Sequence, residues 1–361
     1  MNFTIPSETS PMISSGVSLL GERVLVTGSS GFVGVRVIEA LARHGFANIR
    51  CLVRHSTDTK ALEAVIAANS HRAAIEICRA NLLSPADCVR AARSAGIIVH
   101  LAAARGEKSY PDAYLNTVVT TRNLLEACIA AGGVKRFVCI SSFTVYTNGD
   151  GGAVLDENSA TEVQPHLRGE AYCYAKTKQE VYIREACEKA GLPWVILRPG
   201  HVYGKGNEGI SSRVGIGTFG MFLHLGGANR IPLSFVDNCA DAIALASYHE
   251  NSPGRIYNIV DGDLPKSRQF LRSYKRSAKA FPSVYLPKPI SYLLCLLWEK
   301  YASWSHGQLP PVFNRRMWRA NWKSVCYSNE RLVSELGWKQ PVSTPEAMSR
   351  FFSSCRESSS K

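Results

Sequence analysis

The stretch Val24-Leu-Val-Thr-Gly28-Ser-Ser-Gly31-Phe-Val-Gly34 constrains this chain more than any other. Val24 to Val26 is a short apolar run of buried-strand type, and glycines follow at three-residue intervals before a helical pattern, Val35 to His44. A strand that turns through glycines into a helix gathers backbone N–H groups and the positive end of a helix dipole at one point, where a phosphate binds. Gly28 permits the tight turn, Gly31 lets backbone approach a pyrophosphate, and Gly34 lets helix and strand pack with no side chain between them. The expected dinucleotide cradle is Gly28, Ser30, Gly31, Phe32, Val33 and Gly34. A purely structural glycine turn is the alternative.

Strands alternate with helices after this motif, which predicts right-handed βαβ units and an α/β, doubly wound parallel sheet of Rossmann type. Further strands are expected at Asn48 to Val53, Ala74 to Cys78, Ile97 to Leu101, Arg136 to Ile140, Val195 to Arg198 and Arg255 to Val260. Helices are expected at Lys60 to Ala68, Pro85 to Ala95 and Tyr114 to Ala131. At the tip of the second strand an acid would hold ribose hydroxyls, whereas an arginine accommodates a 2′-phosphate. Val53 and Arg54 stand there, so NADP is favoured over NAD.

With 361 residues, 45% of them apolar, the chain can bury one large core and a smaller lobe. The division expected is a dinucleotide-binding domain over 18–200 with a return segment at 233–260, and a smaller C-terminal substrate-binding lobe over 201–355. The 11 cysteines are scattered, with no CxxC pair and no His/Cys group at zinc spacing. A reduced, cytoplasmic, metal-free protein is the simplest reading. Met1 to Val17 carry neither a charged n-region nor a long apolar h-region and are read as a loose leader. Ser353 to Lys361 is a Ser-rich tail.

The formal charge of +13 suits nucleic acid, an anionic membrane face or anionic small ligands. Basic residues concentrate in Lys266 to Lys279 and in Arg315 to Lys323. No nucleic-acid module is recognisable, so nucleic acid is not expected as a partner. Between the clusters lies the apolar segment Ile290-Ser-Tyr-Leu-Leu-Cys-Leu-Leu-Trp298, too short to span a bilayer. It is expected to cover the core or a pocket, with peripheral contact at the inner membrane face as the alternative.

The spacing G-x-x-G-x-x-G after Thr27 resembles the extended short-chain dehydrogenase/reductase family of NAD-dependent epimerase/dehydratase type. Tyr172-Cys-Tyr-Ala-Lys176, about thirty residues beyond the Ser141-Ser142 strand end, resembles its YxxxK signature. Ala175 and Glu180 select this register over the overlapping Tyr174/Lys178. The resemblance implies that Asn81 and Leu82 lie near the adenine. It also places Leu101, Ala102 and Ala103 along the cofactor, with Pro199 and Val202 beside the nicotinamide. Asn116 would support the lysine or the cofactor, while Thr144 and His201 would meet a small-molecule substrate. His100 is read as a buried strand residue, and Asp237 and Asp241 as caps or structural bonds. Related enzymes pair through the two long helices, so a homodimer is an expectation.

Tyr172 and Lys176 are four apart and share one helix face. Hydride exchange with a carbinol needs a group that moves the hydroxyl proton, and a phenol of pKa near 10 is a poor base at neutral pH. An ammonium about 4 Å away at an effective dielectric of about 20 supplies about 4 kcal/mol, on the order of three pKa units. The family's serine lies four residues before the tyrosine of a Val-Tyr pair, so the resemblance implies that Ser142, four before Tyr146, rather than Ser141, donates to the substrate oxygen.

Family dehydratases carry Asp-Glu after the catalytic Ser/Thr. Phe143-Thr144-Val145 stands here, which argues against dehydration. Three readings stay open. The first is an oxidoreductase or epimerase acting on a secondary alcohol or ketone of a nucleotide sugar. The second is a 3β-hydroxysteroid-dehydrogenase-like enzyme acting on a sterol or lipid alcohol, and the third a dinucleotide-sensing protein without turnover.

Overall fold

Apolar runs alternate with amphipathic helices through the first half of the chain, as the spacing predicts. The computed structural model describes residues 19–104, 109–147, 154–218, 220–305, 308–309 and 313–359. The leader reading of Met1 to Val17 lies outside them. The first half runs β1 (Arg23–Thr27), α1 (Phe32–Arg43), β2 (Asn48–Val53), α2 (Lys60–Asn69), β3 (Ala74–Arg79), α3 (Pro85–Ala92) and β4 (Ile97–His100). Helix α4 (Tyr110–Tyr114) passes through a π-helical turn, Leu115–Val119, into α5 (Thr120–Ala131), followed by β5 (Arg136–Ile140).

Beyond β5 come β6 (Val154–Leu155), α6 (Ala171–Ala190), β7 (Trp194–Pro199), β8 (His201–Tyr203), β9 (Gly215–Thr218), β10 (Met221–His224) and β11 (Leu233–Phe235). The chain closes with α7 (Val236–Tyr248), β12 (Arg255–Ile259), α8 (Ser267–Ser277), β13 (Ser283–Tyr285), α9 (Lys288–Trp304), α10 (Arg315–Trp322), β14 (Cys326–Tyr327), α11 (Glu330–Leu336) and α12 (Thr344–Ser359).

Seven of these strands pair in parallel in the spatial order β12-β7-β5-β4-β1-β2-β3. Chain order reverses between β1 and β4, and in such sheets ligands collect at the carboxyl ends beside that point. Two apolar clusters fill the faces of the sheet, one with Val37, Ile38 and Leu41 of α1, the other with Leu124, Leu125 and Cys128 of α5. A separate cluster joining Phe143, Tyr203, Phe235, Phe270 and Phe351 forms the heart of the second lobe.

Several sequence expectations need correcting. Helix α3 stops at Ala92 because Arg93 leaves helical backbone and Ser94 adopts φ +60°. The long helix begins four residues before Tyr114, where Ser109 caps it by accepting from Asp112 N–H. Leu332, Leu336 and Trp338 pack in the same cluster as α1 and the sheet strands. Ser353 to Ser359 is helical: Ala347, Phe351 and Cys355 recur every four residues and bury one face of α12 in the lobe. Asp237 and Asp241 do form structural bonds, Asp237 with Arg36 and Arg350, Asp241 with His44 at 2.9 Å.

Candidate active site

The glycine turn fits a pyrophosphate by what it lacks. A Cβ on Gly34 would stand 2.2 Å from the Gly28 carbonyl oxygen, so α1 approaches the turn more closely than any side chain allows. Gly28 has φ +67° and lies against the end of β4, with Ala102 N 3.0 Å from where its Cβ would be. That contact brings Leu101 and Ala102, both half-buried, to the cradle. Gly31 caps α1 without any side-chain bond, and the first N–H groups of a helix are free for an anion. Ser29, which sequence reasoning passed over, is buried and donates its hydroxyl to Leu52 O at 2.9 Å, tying the turn to β2. Phe32 reaches the lobe cluster, so the cradle also touches the second lobe.

At the tip of β2, Arg54 is exposed and its carbonyl accepts from Arg79 Nη1, as do the carbonyls of His55 and Thr57. One guanidinium thus orders the loop that carries Arg54. Asn81 spends its Oδ1 on Leu83 N–H at 3.0 Å, leaving its amide N–H groups for a ligand. Leu82 is buried in the core, its carbonyl held by Asn123 at 3.0 Å.

Two contacts bring α6 to the end of β5 and the turn beyond it. Lys176 Nζ donates to Ile140 O at 2.7 Å, at the last residue of β5, and Cys173 Sγ–H to Thr144 O at 3.2 Å. Ser142 opens a short 3₁₀ turn, Phe143–Val145, accepting from Thr144 N–H at 3.2 Å. It is half-buried, whereas Ser141 is buried with no partner for its hydroxyl among the described residues. Tyr172 is 37% exposed at the start of α6. Pro199 is buried at the end of β7; Val202 and His201 are half-buried on β8, which leads into the lobe. Burial lowers the His201 imidazole to about 4, and its Nε2 has no partner among the described residues.

The support for the lysine differs from expectation. Asn116 is exposed and donates to Asp112 O one helical turn back, at 2.9 Å. Its place is taken by Gln179, whose Oε1 accepts from Lys176 at 2.9 Å. Gln179 Nε2 donates to Thr121 Oγ1 at 2.7 Å, and Thr121 also contacts His100 Nε2 at 2.8 Å. His100 Nδ1 meets Thr27 Oγ1 at 2.8 Å, one residue before Gly28. Thr121 gives its only proton to Thr117 O, so His100 must donate from Nε2 and accept at Nδ1. A buried chain thus runs from the lysine to the cradle, passing the π-helical turn. The spacing Lys176 to Gln179, neighbours on one helix face, was the available signal for it.

Burial lowers the Lys176 pKa, and burial with the nearby ammonium lowers His100 to about 3. His100 is neutral in the fold, while the unfolded chain, titrating near 6.5, takes up a proton below that pH. Its contribution therefore leaves stability untouched above about pH 6.5 and erodes it as pH falls toward 3. Urea unfolding at pH 5 should show about 2 kcal/mol less stability from this group than at pH 7. His100→Gln should remove that part of the acid sensitivity.

The model of the NAD dependent epimerase/dehydratase family matches residues 24–260. The sterol-4-alpha-carboxylate 3-dehydrogenase, decarboxylating, of Dictyostelium discoideum is 23% identical over 91% of this chain and 99% of its own length. The UDP-glucose 4-epimerase of Vibrio cholerae is 25% identical over 76% of this chain and 81% of its own. The UDP-glucuronic acid 4-epimerase from Bacillus cereus, solved in complex with UDP-glucuronic acid and NAD, superposes with TM-score 0.68 at 18% identity. The superposition covers 93% of this chain and 99% of that one.

Proposed function

The chain belongs to the NAD dependent epimerase/dehydratase family, and on that premise we propose an NADP-preferring oxidoreductase or epimerase acting on a secondary alcohol or ketone of a nucleotide sugar. The observation that carries it is the lysine tied to the last residue of β5, one turn from Tyr172 and two residues short of Ser142. Tyr172 takes the carbinol proton in the oxidising direction and returns it in the reducing one. The Lys176 ammonium stabilises the phenolate, and Ser142 donates to the substrate oxygen as charge develops there. When bound, the nicotinamide supplies or accepts the hydride. The glycine turn and the N-terminus of α1 hold the pyrophosphate between them.

A nucleotide sugar suits the positive balance of the lobe and is the substrate named for the Vibrio cholerae relative. Thermal melting with NADP and a panel of uridine, guanosine and thymidine diphosphate sugars tests it: one sugar should raise the melting temperature. A second reading, a sterol or other lipid alcohol, has its own support. The sterol dehydrogenase aligns over 91% of this chain, the C-terminal lobe included. No shift across the sugar panel together with turnover of a 3β-hydroxysterol would replace the first reading by the second.

Arg54 supports NADP. Arg54→Glu should weaken NADP binding at least about tenfold, the loss of a charge-assisted contact to the 2′-phosphate, while NAD affinity holds or improves. Equal losses for both cofactors, measured by fluorescence titration, would count against the preference.

A further inference from the structure

Helix α9 buries only one side of itself. Ser291, Cys295 and Ala302 are buried, and Ser291 Oγ accepts from Trp318 Nε1 of α10 at 2.9 Å. On the other side Ile290, Leu293, Leu294, Leu297 and Tyr301 are each about half exposed, and Trp304 is 73% exposed. At about 100° per residue these six fall within an arc of roughly 100°, a continuous apolar stripe along the whole helix. Phe313, 36% exposed and packed on Trp298, extends it. A face of this kind turned to water marks an interaction site.

Its surroundings identify the occupant. Between Lys266 and Lys323 the chain has twelve Lys or Arg and one acid, Glu299, a surplus of eleven in a protein whose formal charge is +13. Arg315 binds that acid in two-pronged fashion at 2.9 and 3.1 Å, and Glu162 from outside the stretch holds Arg316 at 3.0 Å, which leaves most of the surplus on α8 and the segments around α9. The basic helix α8 is fastened to the segment leading into α9. Lys275 donates to Ser283 Oγ at 2.9 Å, and Arg268 lies 5.4 Å from the ring centre of Tyr285. Arg272 and Arg276 of α8 are exposed. No described helix is long and apolar enough to cross a membrane.

We propose that α9 lies in the plane of an anionic lipid surface, its apolar stripe in the acyl boundary and the basic residues of α8 and α10 over the headgroups. Apolar burial and attraction to anionic lipid add in such helices, and each basic residue near the surface strengthens binding. A second copy of the chain fits the stripe poorly, since it would bring two such positive lobes together. A polyanion such as nucleic acid would satisfy the charge and leave the aliphatic side chains in water. The proposal does not depend on which substrate the enzyme takes.

Vesicle flotation of the full chain tests it, using phosphatidylcholine alone and a 7:3 mixture with phosphatidylserine. The protein should float with the anionic vesicles and be released by high salt. The double variant Leu293→Asp/Leu297→Asp should lose at least about thirtyfold in partitioning, with melting temperature and NADP binding unchanged because both positions face water. Arg272→Glu/Arg276→Glu should weaken binding to the anionic vesicles and leave the weak binding to phosphatidylcholine unchanged. Equal flotation of the Leu293/Leu297 variant and the wild type would overturn the proposal. So would a wild-type dimer that this variant converts to monomer, or duplex DNA displacing the vesicles without regard to the stripe.

Discussion

Tyr172→Phe should lower kcat/KM by about 10³-fold, within the range a positioned general acid–base contributes, while leaving the fold and cofactor affinity nearly unchanged. In the proposed reaction the phenol oxygen is the atom that carries the substrate proton, and phenylalanine keeps the ring that α6 presents. Tyr174→Phe is the matched control. Its ring lies against Tyr110 and Tyr114, at 5.5 and 6.2 Å between centres, and Lys178 four residues on is exposed. That variant should keep activity within about twofold, as surface changes away from the chemistry do. If instead Tyr174→Phe were the inactive one, the catalytic register would shift by two residues and the role of Lys176 would fall with it.

Glu180→Ala should destabilise the protein by about 3–5 kcal/mol, read from urea unfolding at pH 7. Glu180 accepts from Arg198 Nε at 2.9 Å and Nη2 at 2.5 Å, with both side chains buried between α6 and β7. Burial alone would lower the arginine pKa, but the carboxylate holds it above the ordinary value. The same guanidinium lies 4.7 Å from the ring centre of Tyr146, whose hydroxyl donates to Asn258 Oδ1 at 2.8 Å on β12. Removing the acid strands a buried cation at the centre of this set. Replacing both partners, Glu180→Met with Arg198→Met, should recover most of the loss, because apolar side chains of like volume carry no desolvation cost. A single-variant loss below about 1 kcal/mol would mean that water reaches the pair.

Much of the sheet was legible in the residues. Apolar runs such as Val24 to Val26 and Arg136 to Ile140 are short, buried on both faces and bounded by turn residues, and that pattern survives into the fold. The glycine spacing was legible as a tight turn, because φ +67° at Gly28 and the 2.2 Å approach at Gly34 leave no room for a side chain. Less legible was what holds Lys176. The resemblance put Asn116 beside the lysine or the cofactor, and in the fold it lies exposed within the π-helical turn. Its amide is spent on the backbone, while Thr121 reaches Gln179. The four-residue period of Ala347, Phe351 and Cys355, which runs into the Ser-rich tail, matches the buried face of α12.

The residues by themselves determined the order of the main strands and helices, the glycine turn before α1 and the placing of a tyrosine and a lysine one helical turn apart, because each is written in local spacing along the backbone. Only the tertiary structure decided that Lys176 meets the carbonyl of Ile140, that Glu180 neutralises Arg198, and that six apolar side chains of α9 face outward. Those facts depend on which surfaces other elements cover, and burial is a property of the whole packed chain rather than of any segment of it.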